Sequence, residues 1–145
     1  MKRTFVLNLL MTILKTKELK VIQRLAKVKK SIQAVSYKYS RFDAIDNKNI
    51  YEIKCREKFY DKILIEFDKY SFNLIYAQTF NKNFLYVVEM DKIYIFNISK
   101  LYMFDYNFNW EWKDLPNQTE FNKKENIKKL VGYIDISQAI YEINK

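Results

Sequence analysis

Between Arg41 and Arg56 the chain reads RFDAIDNKNIYEIKCR, and no other stretch constrains the fold as tightly. Two alternating apolar and polar runs, 41–45 and 50–56, flank Asp46-Asn47-Lys48-Asn49, a cluster of turn-forming residues. The pattern predicts a β-hairpin. With those four residues as the loop, Ile45 faces Ile50, Ala44 faces Tyr51, Asp43 faces Glu52 and Arg41 faces Lys54. Alternation then puts Phe42, Ala44, Tyr51, Ile53 and Cys55 on one face, and Arg41, Asp43, Glu52, Lys54 and Arg56 on the other. The first face reads as core, the second as chemistry or water.

Charged strand faces are commonly solvated, but this one opposes carboxylate to carboxylate and cation to cation. Directly opposed residues have Cβ atoms roughly 4.5–5.5 Å apart, where like charges destabilise. A divalent cation relieves that repulsion, because hard oxygen ligands suit Mg²⁺. Lys54 lies two residues beyond Glu52 on the same face, roughly 7 Å along the strand. An ammonium there can stabilise developing phosphate charge or position an attacking water.

An Asp on one strand, a turn, then Glu-x-Lys on the next resembles the active site of the PD-(D/E)xK nuclease superfamily, the restriction-endonuclease-like fold. The matching residues are Asp43, Glu52 and Lys54. The resemblance implies phosphodiester cleavage dependent on Mg²⁺, with Mn²⁺ as a substitute, Asp43 and Glu52 as metal ligands and Lys54 as the catalytic lysine. Phe42 stands where the family has a proline. The family's first core helix often adds an acid to the metal site, and Glu18 is the position that matches. Its later helix often adds a polar or basic residue, which makes Lys69 and Glu66 accessory candidates. An ordinary Glu66–Lys69 surface pair is the rival reading.

At 145 residues, 49% hydrophobic and 17% aromatic, the chain is expected to form one domain, with a core over about 15–98 and a C-terminal extension over 99–145. Its net charge of +9 favours an anionic partner, DNA first and RNA as an alternative. The absence of histidine excludes His-based triads and zinc deaminase sites. One glycine is too few for a phosphate-cradling loop. Cys55, the sole cysteine, permits no intramolecular disulfide and suits a cytoplasmic setting.

In chain order, the apolar run Phe5–Leu14 is interrupted by Asn8, lacks a cleavage site and is too short to span a bilayer. It reads as the start of a buried helix that continues through Leu19, Ile22, Leu25 and Ala26 among lysines. Such a basic helix serves nucleic-acid phosphate, an anionic membrane surface, or simply solvent. A first strand is expected over Ala34–Tyr39, and a helix over Ile63–Phe80 with Leu64, Phe67, Leu74 and Ile75 on its apolar side and Glu66, Lys69, Tyr70 and Asn73 on one polar stripe. A second hairpin joins Asn83–Met90 to Lys92–Ile98. The expected class is α/β, a mixed sheet flanked by helices in the order α-β-β-β-α-β-β. From Tyr102 to Trp112 an aromatic stands at every second position, predicting an extended segment that either stacks bases or is buried, burial being favoured. Leu130–Ile136 reads as a last strand, and Ser137 as the cap of a terminal helix.

Together these features predict a small Mg²⁺-dependent DNA endonuclease selective for structure, such as a junction. Lys20, Arg24, Lys27, Arg41, Arg56, Lys123, Lys124 and Lys128 would hold the backbone without specifying sequence. Cutting two strands calls for two sites, hence a homodimer; no membrane is involved. The later WEW, LP, TEF and KK segments are similar to small phage-encoded members of the superfamily, which implies a phage setting in the host cytoplasm. Two alternatives stand beside it: a nuclease fold that binds nucleic acid without cutting, and a phage protein acting on a host defence component.

Overall fold

The computed structural model describes residues 16–35, 40–116 and 126–145; the expected helix start at Phe5–Leu14, most of the Ala34–Tyr39 strand, Lys123 and Lys124 lie outside them. The elements are α1 (Thr16–Val28), β1 (Gln33–Ala34), β2 (Ala44–Ile45), β3 (Asn49–Cys55), β4 (Lys62–Glu66), α2 (Phe67–Thr79), β5 (Asn83–Glu89), β6 (Ile93–Asn97), α3 (Ile98–Met103), β7 (Glu111–Pro116), β8 (Asn126–Asp135) and β9 (Tyr141–Ile143). They form a mixed α and β architecture with two sheets. The larger runs β1-β2-β3-β5-β6-β9, antiparallel except for the parallel β3–β5 pair; the smaller runs β4-β8-β7 and is antiparallel throughout.

The central hairpin takes the predicted register, Ala44 opposite Tyr51 and Ile45 opposite Ile50. Its loop is held by Asp46, whose Oδ1 accepts from the backbone N–H of Lys48 at 2.8 Å and of Asn49 at 2.7 Å, while Oδ2 accepts from the Tyr51 hydroxyl. A short acid bonding its own backbone two and three residues on is how Asp makes a turn without glycine. β2 is only two residues long. Before it the chain bends, so Phe42 does not join Ala44 as expected; it packs with Ile50 on the opposite face of the sheet.

Both faces of the large sheet are covered. On one, α1 sets Val21, Ile22 and Leu25 against Tyr51, Ile53, Leu85 and Val87. Each fully buried aliphatic contributes about 1.5–3 kcal/mol. A 13-residue helix is marginal alone, so this packing is what holds it. On the other face Ile50, Phe84, Tyr86, Val88 and Phe96 meet α2, α3 and the small sheet through Ile63, Ile65, Ala77, Leu101 and Ile134. β3 is therefore a central strand. The charged face, read as chemistry or water, is interior at Glu52 and opens toward solvent at Lys54 and Arg56.

Several expectations are corrected. Ile63–Phe80 is not one helix: Lys62–Glu66 is a strand with Ile63 and Ile65 buried, and α2 starts at Phe67. The fold thus has an extra strand in the order expected of it. Asn73, Leu74 and Ala77 are the buried side of α2, whereas Ile75 is 63% exposed. The Tyr102–Trp112 stripe is not one extended segment. Phe108 is buried with Tyr106 and Trp110 packed around it, while Phe104 and Trp112 are 77% and 71% exposed. Ser137 does not cap a helix; its N–H donates to Asp135 at the start of a single 3₁₀ turn, after which the chain forms β9 along the edge of β6. Beyond residue 98, β8 pairs with β4 and β9 with β6.

Gly132 sits on β8 under the aromatic cluster, where a Cβ would lie 2.8 Å from the Trp110 ring and 2.9 Å from Phe108 Cβ. Left-handed backbone is taken by Asn81, Asp105 and Asn109, at φ 53°, 54° and 51°, the first two just past the ends of α2 and α3. Asn and Asp tolerate that left-handed conformation better than other residues with a side chain. Among the described residues no helix is long and apolar enough to cross a membrane.

Candidate active site

β3 carries Ile50, Glu52 and Lys54 toward α2 and the small sheet. Its neighbours are β2, which stops at Ala44, and β5, which pairs Tyr86 with Glu52 and Val88 with Lys54. Where β2 ends, Asp43 takes over the edge: its N–H donates to the Tyr51 carbonyl at 2.7 Å, and its Oδ2 accepts from the Ile53 N–H at 2.7 Å. The acid thus replaces a ladder partner with its own side chain, fixed against β3 one residue from Glu52.

Glu52 is 2% exposed. Its Oε1 lies 3.4 Å from Lys54 Nζ and 3.4 Å from Lys69 Nζ. Its Oε2 is buried with no hydrogen-bond partner. Burial, then the charge of Asp43, pushes the Glu52 carboxyl up to about 7, with Lys69 and Lys54 pulling the other way. Desolvation of the charged form outweighs two half-exposed ammonium groups. Asp43, Glu52, Lys54 and Lys69 are thus brought together by the end of β2, the middle of β3 and the first turn of α2.

The remaining expected residues are placed differently. Glu66 pairs with Lys129 at 3.1 Å, not with Lys69. Glu18 stands on α1, over the other face of the sheet, where its charge acts on the thiol of Cys55. Burial, Glu89, Glu18 and Asp43 push that thiol up to about 11, which keeps it protonated and unreactive. Among the described residues no three acid, cysteine or histidine side chains converge on one point, so Glu18 is not brought together with Asp43 and Glu52 here. Lys20, Arg24 and Lys27 belong to the same helix, and Arg24 is engaged with the Asn144 carbonyl at 3.1 Å. Arg41 lies over the Phe72 ring at 4.8 Å. Neither a family model nor a curated protein matches this chain.

Next to Glu52 a cleft of about 400 Å³ opens between β3 and the small sheet. Lys54, Arg56, Lys62, Lys69, Lys113 and Lys129 line it, with Glu66 as the acid among them. At its floor the Tyr86 hydroxyl donates to the Leu64 carbonyl at 3.1 Å, joining the two sheets. Lys62, Lys113 and Tyr133 were not expected at a site. Lys62 and Tyr133 are placed by the pairing of β4 with β8 and Lys113 by that of β7 with β8, and no short sequence window contains the first of these pairings.

Proposed function

We propose that the chain is a Mg²⁺-dependent nuclease on a restriction-endonuclease-like core, with Asp43, Glu52 and Lys54 at its centre and Lys69 beside them. The observation that carries this reading is Glu52: a carboxylate on a central strand, one oxygen shared by two ammonium groups, the other without a partner, and a second acid close by. Buried acids with strongly raised pKa values beside a cleft are functional-site candidates. The donor set suits Mg²⁺, which binds through one or two carboxylates and retains several waters. Asp43 and Glu52 are the residues to hold it, Glu52 through its free oxygen. When bound, the ion supplies an acidified water and neutralises charge on the phosphate. Lys54 and Lys69 keep two positive charges where charge develops on a scissile phosphate. Lys54 also orients the attacking water. Burial favours the protonated form of Glu52, and a metal must displace that proton to bind, so metal affinity and activity rise with pH. DNA is the first substrate, RNA the alternative, and opposed cuts in two strands require a homodimer.

The test is cleavage of labelled duplex, single-stranded and four-way-junction DNA, and of RNA, with Mg²⁺ or Mn²⁺ and with EDTA. Asp43→Ala and Lys54→Ala should each lower the rate by about 10²-fold or more, while thermal unfolding shows both variants folded. A wild type that binds these substrates and leaves all of them intact rejects the enzyme. It would favour a binding protein of nuclease-like fold, in which Lys54 and Lys69 simply neutralise Glu52.

A further inference from the structure

The two walls of the cleft come from different sheets, and the wall facing β3 has a feature that folding does not account for. In the β7–β8 ladder, Lys113 stands directly opposite Lys129, and both line the cleft. One step along, Asp114 stands opposite Lys128. That neighbouring pair, on the outer face, matches opposite charges, whereas the inner face matches like with like. Like charges directly opposed in a ladder destabilise it. Glu66 offsets Lys129 and Asp135 stands opposite Lys62, but Lys113 adds to the same wall, and Lys54 and Arg56 face it from the end of β3 and just beyond. Such a concentration of cation is relieved by a polyanion. Tyr133 adds an aromatic face, with Lys113 Nζ 5.9 Å from its ring centroid and its hydroxyl donating to Glu111 at 2.8 Å.

The size of the cleft decides which polyanion. About 400 Å³ is the room a ligand of nucleotide dimensions fills. A positively charged groove with aromatic faces is the arrangement that binds unpaired strands without reading sequence.

We propose that this cleft binds an unpaired nucleic-acid strand, with its phosphates on Lys113, Lys129 and Lys62 and a base against Tyr133, leading the strand to Glu52. A frayed end, a flap or the unpaired arm of a branch has that chemistry. The inference rests on the nuclease reading only for what becomes of the strand; binding stands apart from it.

The test is fluorescence anisotropy of labelled 12-nucleotide oligo(dT), oligo(U) and a blunt duplex, in EDTA so that no cutting intervenes. Either single strand should bind at least about 10-fold more tightly than the duplex at equal salt. The preferred one of the two fixes DNA or RNA as the source. Lys113→Gln with Lys129→Gln should weaken single-strand binding about 10-fold or more and flatten the salt dependence by about 1.4, the value for two lost phosphate contacts. Lys62→Gln, made separately, should flatten it by about 0.7. Lys30→Gln with Lys48→Gln, both exposed and outside the cleft lining, should change affinity less than about twofold. Duplex binding as tight as single-strand binding, or an unchanged salt slope in both cleft variants, overturns the proposal. Strand binding through the cleft without any metal-dependent cutting removes the nuclease and leaves this inference intact; cutting that ignores Lys62, Lys113 and Lys129 does the reverse.

Discussion

At the scale of single residues, Glu52 sets the most distinctive property of the free protein. The folded state holds its proton up to about pH 7, whereas an exposed glutamic acid releases it near 4.5. Stability tied to this group is therefore full below about 4.5, falls as pH rises, and is gone above about 7. The loss amounts to roughly 3 kcal/mol at most. Glu52→Gln mimics the protonated form. It should match wild type at pH 4 and exceed it by about 2–3 kcal/mol at pH 8 in denaturant titrations. Equal stability of the two proteins at pH 8 would show that Glu52 is not held neutral by burial. The same substitution should abolish metal-dependent cleavage, so stability and activity move in opposite directions, as expected where a site carries an unfavourable charge for function. Asp43 and Glu52 were legible as neighbours because the Asp46–Asn49 turn sets the register by counting. The burial of Glu52 was not, because alternation along a strand does not say whether its polar face meets water or another layer.

At the scale of elements, two faces predicted from pattern can be checked directly. Ile75 was expected on the buried side of α2 and is exposed; Ile75→Glu should change stability by less than about 0.5 kcal/mol. Gly132→Ala pushes a methyl into the Trp110 ring and should cost about 1–3 kcal/mol, read from the same titrations. The misreading of Ile63–Phe80 has a physical source. No Gly or Pro separates β4 from α2, and the residue at the helix start, Glu66, makes no capping hydrogen bond from its side chain, so the boundary leaves no trace in the sequence. What fixes it is pairing with β8, some 65 residues away in the ladder Ile65–Gly132; a window read alone cannot contain it. β9 has the same cause: Tyr141–Ile143 is a strand because the edge of β6 is there to receive it. The hairpins β2–β3 and β5–β6, by contrast, close over short turns and were readable.

At the scale of the whole molecule, the described elements form three layers: α1, the large sheet, and then α2, α3 and the small sheet. Protection should follow that order. Native-state hydrogen exchange is expected to find β3 and β5 slowest, since they pair with each other along their whole length in the middle of the large sheet and are mostly buried, and β7 fastest among the strands, since it is an edge strand with nearly every residue exposed. Uniform protection across the two sheets would mean that they open as one unit. The mixed α and β class and the two hairpins were visible in the sequence. The second sheet was not, because β4 comes from a part of the chain remote from the consecutive strands β7 and β8, and with it the cleft stayed hidden.

One consequence follows from where the two tryptophans lie. Trp110 rests against Phe67 at 5.0 Å and Tyr70 at 4.9 Å, the residues that bracket Lys69 on the first turn of α2, while Trp112 is in solvent. With Trp112 replaced by Phe, the remaining indole becomes an intrinsic optical gauge of that turn, its emission shifting when Lys69 moves. Occupancy of the site can then be followed in unlabelled protein, in real time, before any product exists to be measured.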